Sequence, residues 1–148
     1  MPAGFVIRPA LATEEAGLYA IHRAAMEEYV TRTWGPWDDA WQQDHFAGNW
    51  PDLRLAIEVE GELAGFLDLD EAGPTLEIAS LELAPHWQRQ GIGSAIIRAV
   101  QARAATLERP VTLRVLKVNP ARALYERLGF RQVDETETHY RMAWQAGS

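Results

Sequence analysis

The chain contains no cysteine among its 148 residues. That absence excludes a disulfide framework, a thiolate metal site and a cysteine nucleophile together. No apolar run approaches the ~20 residues a membrane span needs, so no membrane partner is expected. Positive charge is scarce: 14 Lys and Arg stand against 21 Asp and Glu, for a net charge of −7, and no basic tract breaks the pattern. A phosphate backbone would be repelled, so nucleic acid is not an expected partner. His22, His45, His86 and His139 show no paired spacing, and no metal is expected. The first residues are apolar rather than basic, unlike a secretory leader, so the cytoplasm is the expected compartment.

What remains is an ordinary folding composition, 47% hydrophobic and 24% charged, at a length that fits a single domain over residues 1–148. Phe5-Val6-Ile7 reads as a short strand. Thr13-Glu14-Glu15 then supplies a helix start, and Leu18, Ile21, His22, Ala25 and Tyr29 form one apolar stripe on a helix to about Val30. Trp34-Gly35-Pro36 interrupts it, and a second short helix is expected from Asp38 to Phe46. Leu53 to Glu60 and Leu63 to Leu69 read as a hairpin around Gly61-Glu62, and Thr75 to Pro85 as a further strand. A Gly-rich turn leads into a helix from Ser94 to Glu108 with one apolar face. Val111 to Val118 reads as a central strand, a helix follows Asn119-Pro120 and stops at Gly129, and strands at Val133 and Tyr140 to Trp144 close the chain.

The chemistry concentrates where a strand turns into a helix. Gln88-Arg89-Gln90-Gly91-Ile92-Gly93 places two glycines there, so consecutive backbone N–H groups can converge on an anion at the positive end of a helix. The turn lacks the Gly-Lys-Ser/Thr of a P-loop, and Ile96 stands where a dinucleotide fingerprint needs its third glycine. Taken alone, the segment is equally well a glycine-assisted helix start. Three side chains are candidates for moving a proton: Glu77 and Glu82 on the strand before the turn, five residues apart and so on opposite faces of a regular strand, and His139 near the end. Each of them also reads as an exposed strand residue. Trp34, Trp37, Trp41 and Trp50 gather with Tyr29, Asp38, Asp39 and Asp44; that mixture suits a cationic amine, and equally a helix packed on the core or on a second copy of the chain.

These motifs resemble the GNAT superfamily of acyl-CoA-dependent N-acetyltransferases. Gln88 to Gly93 is similar to its Gln/Arg-x-x-Gly-x-Gly/Ala motif, and Asn119-Pro120-Ala121-Arg122-Ala123-Leu124-Tyr125-Glu126-Arg127-Leu128-Gly129-Phe130 to its Asn ahead of a helix ending Leu-Tyr-x-x-x-Gly-Phe. Asn119 and Tyr125 stand six apart where many members have seven. Either the helix starts later or Asn119 is not the equivalent residue. The resemblance implies a three-layer α/β sandwich with a mixed, mostly antiparallel central sheet, and acetyl-CoA as cosubstrate. It implies that the amides of Arg89, Gln90, Gly91, Ile92, Gly93 and Ser94, behind Gln88, hold a pyrophosphate, with Asn119 also near the cofactor. Leu81 and Leu83 would pair with the pantetheine arm, and the Leu83 N–H would polarise the thioester carbonyl. Tyr125 would protonate the leaving sulfur, and Glu82 or Glu77 would serve as the base, with Glu82 closer to the thioester. Tyr29, Trp34, Trp37 and His139 fall where members bind a small-molecule or peptide amine. Many members are homodimers. Two other readings stand beside the enzyme: an acyl-CoA-binding domain without turnover, and a scaffold whose tryptophans form an interface.

Overall fold

The computed structural model describes residues 4–48 and 54–147. Strand β1 (Phe5–Pro9) is followed by a short 3-10 turn and α1 (Glu15–Trp34), α2 (Asp39–Gly48), β2 (Arg54–Val59), β3 (Glu62–Asp70) and β4 (Leu76–Leu83). Then come α3 (Ile92–Leu107), β5 (Val111–Leu116), α4 (Ala121–Arg127), β6 (Arg131–Glu135) and β7 (His139–Trp144). The seven strands form one sheet in the order β1-β2-β3-β4-β5-β7-β6. The β1–β2, β2–β3, β5–β7 and β6–β7 pairs are antiparallel and β4–β5 is parallel. This is the mixed, mostly antiparallel α/β sheet that the sequence implies.

By contacts the chain divides into two compact units, one within Met1–Asp68 and Ser80–Ile92, the other within Leu69–Ala79 and Gly93–Ser148. In the first, β2 and β3 are buried almost throughout, so Ala56, Ile57, Val59, Ala64, Phe66 and Leu67 lie at 2% exposure or less. Leu18 of α1 and Phe46 of α2 pack with Phe66, and Tyr19, Ile21 and Leu63 border them. The β2–β3 turn places Glu60 and Gly61 in succession in the left-handed region, at φ 54° and 79°, the geometry of a two-residue hairpin. The turn residues are thus Glu60-Gly61, one position before the expected pair.

In the second unit, the start of β4 is held parallel to β5 by pairing Leu76, Glu77 and Ile78 with Val111, Thr112 and Leu113. Val111, Leu113, Val115 and Leu116 are buried, as a central strand requires. Strand β6 is exposed along its whole length, and its register on β7 shifts between Gln132 and Asp134, leaving Val133 59% exposed.

Several element boundaries differ from the sequence reading. Helix α1 runs four residues past Val30 and ends where Gly35 takes φ 102°, because one more polar turn on an exposed face costs a helix little. Helix α3 begins at Ile92, inside the Gly-rich segment. Strand β5 stops at Leu116, after which the Lys117 N–H turns to the Thr138 carbonyl. Trp50 and the expected strand start at Leu53 lie outside the described residues.

Candidate active site

The end of β4 and the turn that follows carry the densest set of candidate residues. Glycine at position 65 of β3 permits their arrangement. A Cβ added there would collide with the Glu82 carbonyl oxygen and lie 3.0 Å from the Leu83 Cα, so the β4 backbone at Glu82–Leu83 passes close against β3. The Ala84 N–H donates to the Ala64 carbonyl at 2.8 Å. The Gln88 side chain then donates to the Leu83 carbonyl at 2.9 Å, and Gln90 donates to the His86 carbonyl at 2.7 Å. Both glutamine amides fold back on the protein. The backbone, not these side chains, is left to face a ligand.

Within the turn, Arg89 has φ 62° and Gly91 φ 81°. Left-handed residues alternating with ordinary ones turn successive N–H groups toward one point, and a non-glycine residue in that region is uncommon enough to mark a site. Helix α3 starts immediately after, adding the positive end of a 16-residue dipole. Gly93 sharpens the reading. Its φ is not left-handed, and a Cβ there would meet nothing within 4 Å, so neither backbone conformation nor internal packing calls for glycine. A glycine that the protein itself does not need fits the close approach of a phosphate group to the backbone.

Glu82 points from β4 to α1. Its carboxylate lies 2.6 Å from Nδ1 of His22, with the two side chains 9% and 22% exposed. Burial raises the Glu82 pKa above the usual carboxylate range, partly opposed by the hydrogen bond with His22. His22 sits among rings: Phe46 stacks at 5.3 Å, Trp37 lies at 5.8 Å, and Tyr19 and Phe66 each lie at 6.3 Å. The sequence reading placed His22 on the apolar stripe of α1 and gave it no chemical role. The only local signal was an imidazole standing where an aliphatic residue would do.

The aromatic and acidic cluster of α1 and α2 is largely satisfied from within. The Tyr19 hydroxyl donates to Asp39 Oδ1 at 2.6 Å, and Trp37 Nε1 donates to the Tyr19 hydroxyl at 3.1 Å. Arg23 and Gln43 also donate to Asp39, at 3.0 and 2.7 Å. These donors, Tyr19 first, hold the Asp39 carboxyl below its usual range. Asp38 accepts the Trp41 N–H at the start of α2. Two of the carboxylates expected to greet an amine therefore serve the protein itself. Trp34 is 60% exposed and Tyr29 is half-buried on α1, while Trp41 stacks on His45 at 4.7 Å.

In the second unit, Glu77 is half-buried and stands in register with Thr112. The Asn119 side chain accepts the Ala121 N–H at 2.9 Å, so Asn119 caps α4 and the helix begins two residues later. Tyr125 packs edge-on to Phe130 at 6.0 Å, and its carbonyl accepts the N–H groups of Leu128 and Phe130. His139 bonds the Thr138 hydroxyl at 2.8 Å; burial, with Arg114 nearby, lowers its pKa and favours the neutral ring. Among the described residues no three His, Cys, Asp or Glu side chains gather as a metal site, and no helix is long and apolar enough to cross a membrane.

The fold is a mixed, mostly antiparallel α/β sheet with a glycine-containing turn between its fourth strand and the helix that follows. The chain belongs to the acetyltransferase (GNAT) family, whose model matches residues 18–130, and members of that family use acetyl-CoA. Among solved structures it is similar to the PaiA N-acetyltransferase of Thermoplasma acidophilum in complex with coenzyme A, at 17% identity and a TM-score of 0.78, covering 96% of this chain and 99% of that one. It is also similar to the ribosomal-protein-S18-alanine N-acetyltransferase of Escherichia coli, at 22% identity and a TM-score of 0.73, covering 98% of this chain and 96% of that one. An acetyltransferase of Thermus thermophilus matches at 17% identity and a TM-score of 0.76, covering 98% and 99%. No curated protein matches the sequence. At these identities the likeness is one of fold.

Proposed function

We propose that the protein is an N-acetyltransferase that moves the acetyl group of acetyl-CoA to a primary amine by direct attack in a ternary complex, within one catalytic domain. The observation that carries the reading is the turn itself: left-handed Arg89 and Gly91, the start of α3, and a Gly93 that the protein does not need for its own packing. The amides of Arg89 to Ser94 would hold the pyrophosphate. For a chain of net charge −7, oriented N–H dipoles supply the local attraction that net charge does not.

Acetyl-CoA supplies an activated acetyl group. The backbone of Leu81 and Leu83 would bind its pantetheine arm as an added strand would, and the Leu83 N–H would polarise the carbonyl. The Tyr125 phenol, which ionises in the same alkaline range as a thiol, would protonate the departing sulfur. Among the sequence candidates, Glu82 rather than Glu77 or His139 marks the proton-accepting site, because it is a buried carboxylate with its own hydrogen-bonded imidazole. Direct attack agrees with the absence of cysteine, the commonest covalent acyl carrier. The acceptor would meet Tyr29, Trp34 and Trp37 through ring faces rather than through Asp39, whose oxygens are already bound.

Thermal unfolding with acetyl-CoA and with free CoA tests the reading, followed by thiol release over a panel of small amines, polyamines and peptide N-termini. A ligand at about a hundred times its Kd should add roughly 2.7 kcal/mol of stability. No shift with either ligand, in a folded protein, overturns the cradle. A shift with no turnover on any amine makes the chain an acyl-CoA-binding domain instead.

A further inference from the structure

We propose that His22 is the catalytic base of this chain and that Glu82 is the residue that positions it. The assignment rests on the acetyltransferase reading and divides the work within one hydrogen-bonded pair.

Exposure separates the two partners. The Glu82 side chain is 9% exposed and that of His22 22%, so the imidazole is the more open member of the pair. The bond to Glu82 occupies Nδ1, at 2.6 Å. Among the described residues Nε2 has no hydrogen-bond partner. A carboxylate on Nδ1 fixes the tautomer that carries its proton there and leaves Nε2 with a lone pair, the arrangement by which a buried acid orients a histidine base. The ring cannot easily turn away: Phe46 lies against its face, tilted by 23°, with Trp37 and Tyr19 of the same unit beside it.

Among the described residues Glu82 is the carboxylate bonded to this ring. On α1, Arg23 is engaged by Glu27 and Asp39, and the Tyr19 hydroxyl donates to Asp39. Helix α2 presents Phe46. Asp68 and Arg54, which also act on Glu82, bond each other through two contacts of 2.7 Å, so their fields largely cancel. Burial also penalises the bare Glu82 charge. A proton arriving at Nε2 takes the pair from net negative to neutral and relieves that penalty.

In the reaction the amine lone pair forms the C–N bond and the C–S electron pair leaves with sulfur. The proton on nitrogen passes to His22 Nε2, the departing sulfur takes up one proton, and exchange with water returns the imidazole to its neutral form.

The test is the pH profile of kcat/KM for the full chain, with acetyl-CoA and the best amine of the panel, in wild type, His22→Gln, His22→Asn and Glu82→Gln. Wild type should lose activity on an acidic limb. Either His22 variant should fall by about 10² to 10³-fold and lose that limb, with the acetyl-CoA thermal shift unchanged. Glu82→Gln should fall by about tenfold and keep the limb, moved to lower pH, because the imidazolium has lost its carboxylate. Without any substrate, ¹⁵N NMR of the His22 ring should show the Nδ1–H tautomer and a titration that shifts in Glu82→Gln. Wild-type rate and limb in both His22 variants overturn the assignment alone. So does loss of the limb in Glu82→Gln with its retention in His22→Gln, which would make Glu82 itself the base. Cofactor binding without turnover in wild type overturns the proposed function along with it.

Discussion

Asp68 and Glu82 are two carboxylates of one compact unit, with side chains 7% and 9% exposed, and they have opposite characters. Asp68 takes both of its bonds from the Arg54 guanidinium, at 2.7 Å each, and that guanidinium lies over the Phe46 ring at 4.1 Å and the Phe66 ring at 5.2 Å. Arginine does not release its proton in a protein, so this pair is a fixed charge arrangement. Glu82 has instead an imidazole for a partner, a group that can take up and release a proton. Burial alone therefore does not mark a chemical site here. The partner decides whether a buried carboxylate can exchange a proton or only hold a structure.

The sharpest way to break the comparison is to remove one member of each pair. Asp68→Asn leaves the Arg54 charge buried without its carboxylate and should cost about 3–5 kcal/mol in denaturant unfolding. Glu82→Gln keeps a hydrogen-bond partner for His22 and should cost about 1 kcal/mol or less near the usual carboxyl pKa. The pH dependence separates them further. A raised folded-state pKa means the folded protein favours the protonated carboxyl, so the Glu82 contribution to stability is present at low pH and falls as pH rises above 4.5 toward the folded value. Glu82→Gln should gain on wild type through that window. A gap between them that stays constant with pH would show that Glu82 does not feel its burial.

Gly65→Ala tests how the strand presents Glu82. The added methyl meets the Glu82 carbonyl oxygen and the Leu83 side chain, which approaches to 2.9 Å, and backbone cannot move aside as a flexible side-chain end can. A loss of about 1–3 kcal/mol is expected, with reduced turnover in whatever folds. Unchanged stability would mean that β4 lies flat on β3 and that Glu82 owes its direction to something else.

The fold was legible because its signals are local. The α1 stripe, the glycine at position 35 and each of the two motifs are contained in short windows, and the element order follows from them. The turn was legible for the same reason: Gly91, Gly93 and the start of α3 are consecutive in the chain. His22 and Glu82 are 60 residues apart, and no spacing rule joins a helix stripe to a strand that distant. The carboxylates near Trp37 left two readings open, an amine site or internal packing. Composition shows that Asp39 is acidic and near aromatics, but only coordinates show that Tyr19, Arg23 and Gln43 already fill its oxygens. Gln88 is a third case: the motif places it at the cofactor, while its amide reaches back to the Leu83 carbonyl and fixes the strand end that the motif serves.

A third carboxylate sharpens the comparison at its weak end. Glu14 has a permanent cation, like Asp68, but sits nearer solvent, with its side chain 17% exposed and that of Arg8 29%. Arg8 donates to both Glu14 oxygens, at 2.8 and 2.6 Å, and the Leu11 N–H adds a bond of 2.9 Å. The Arg8 hydrogen bonds, with a smaller share from Leu11, lower the Glu14 pKa from 4.5 to about 2. Its stabilising contribution is therefore complete above 4.5 and is lost as pH falls toward 2. Solvent screens a pair this close to the surface, so Glu14→Gln should cost about 1 kcal/mol at neutral pH, less in high salt. Unfolding curves of both proteins from neutral pH downward should converge by pH 2. A gap that survives to that pH, or that ignores salt, would place the role of Glu14 in capping the Leu11 N–H rather than in its charge, and would leave buried Asp68 as the only one of the three carboxylates whose cation matters.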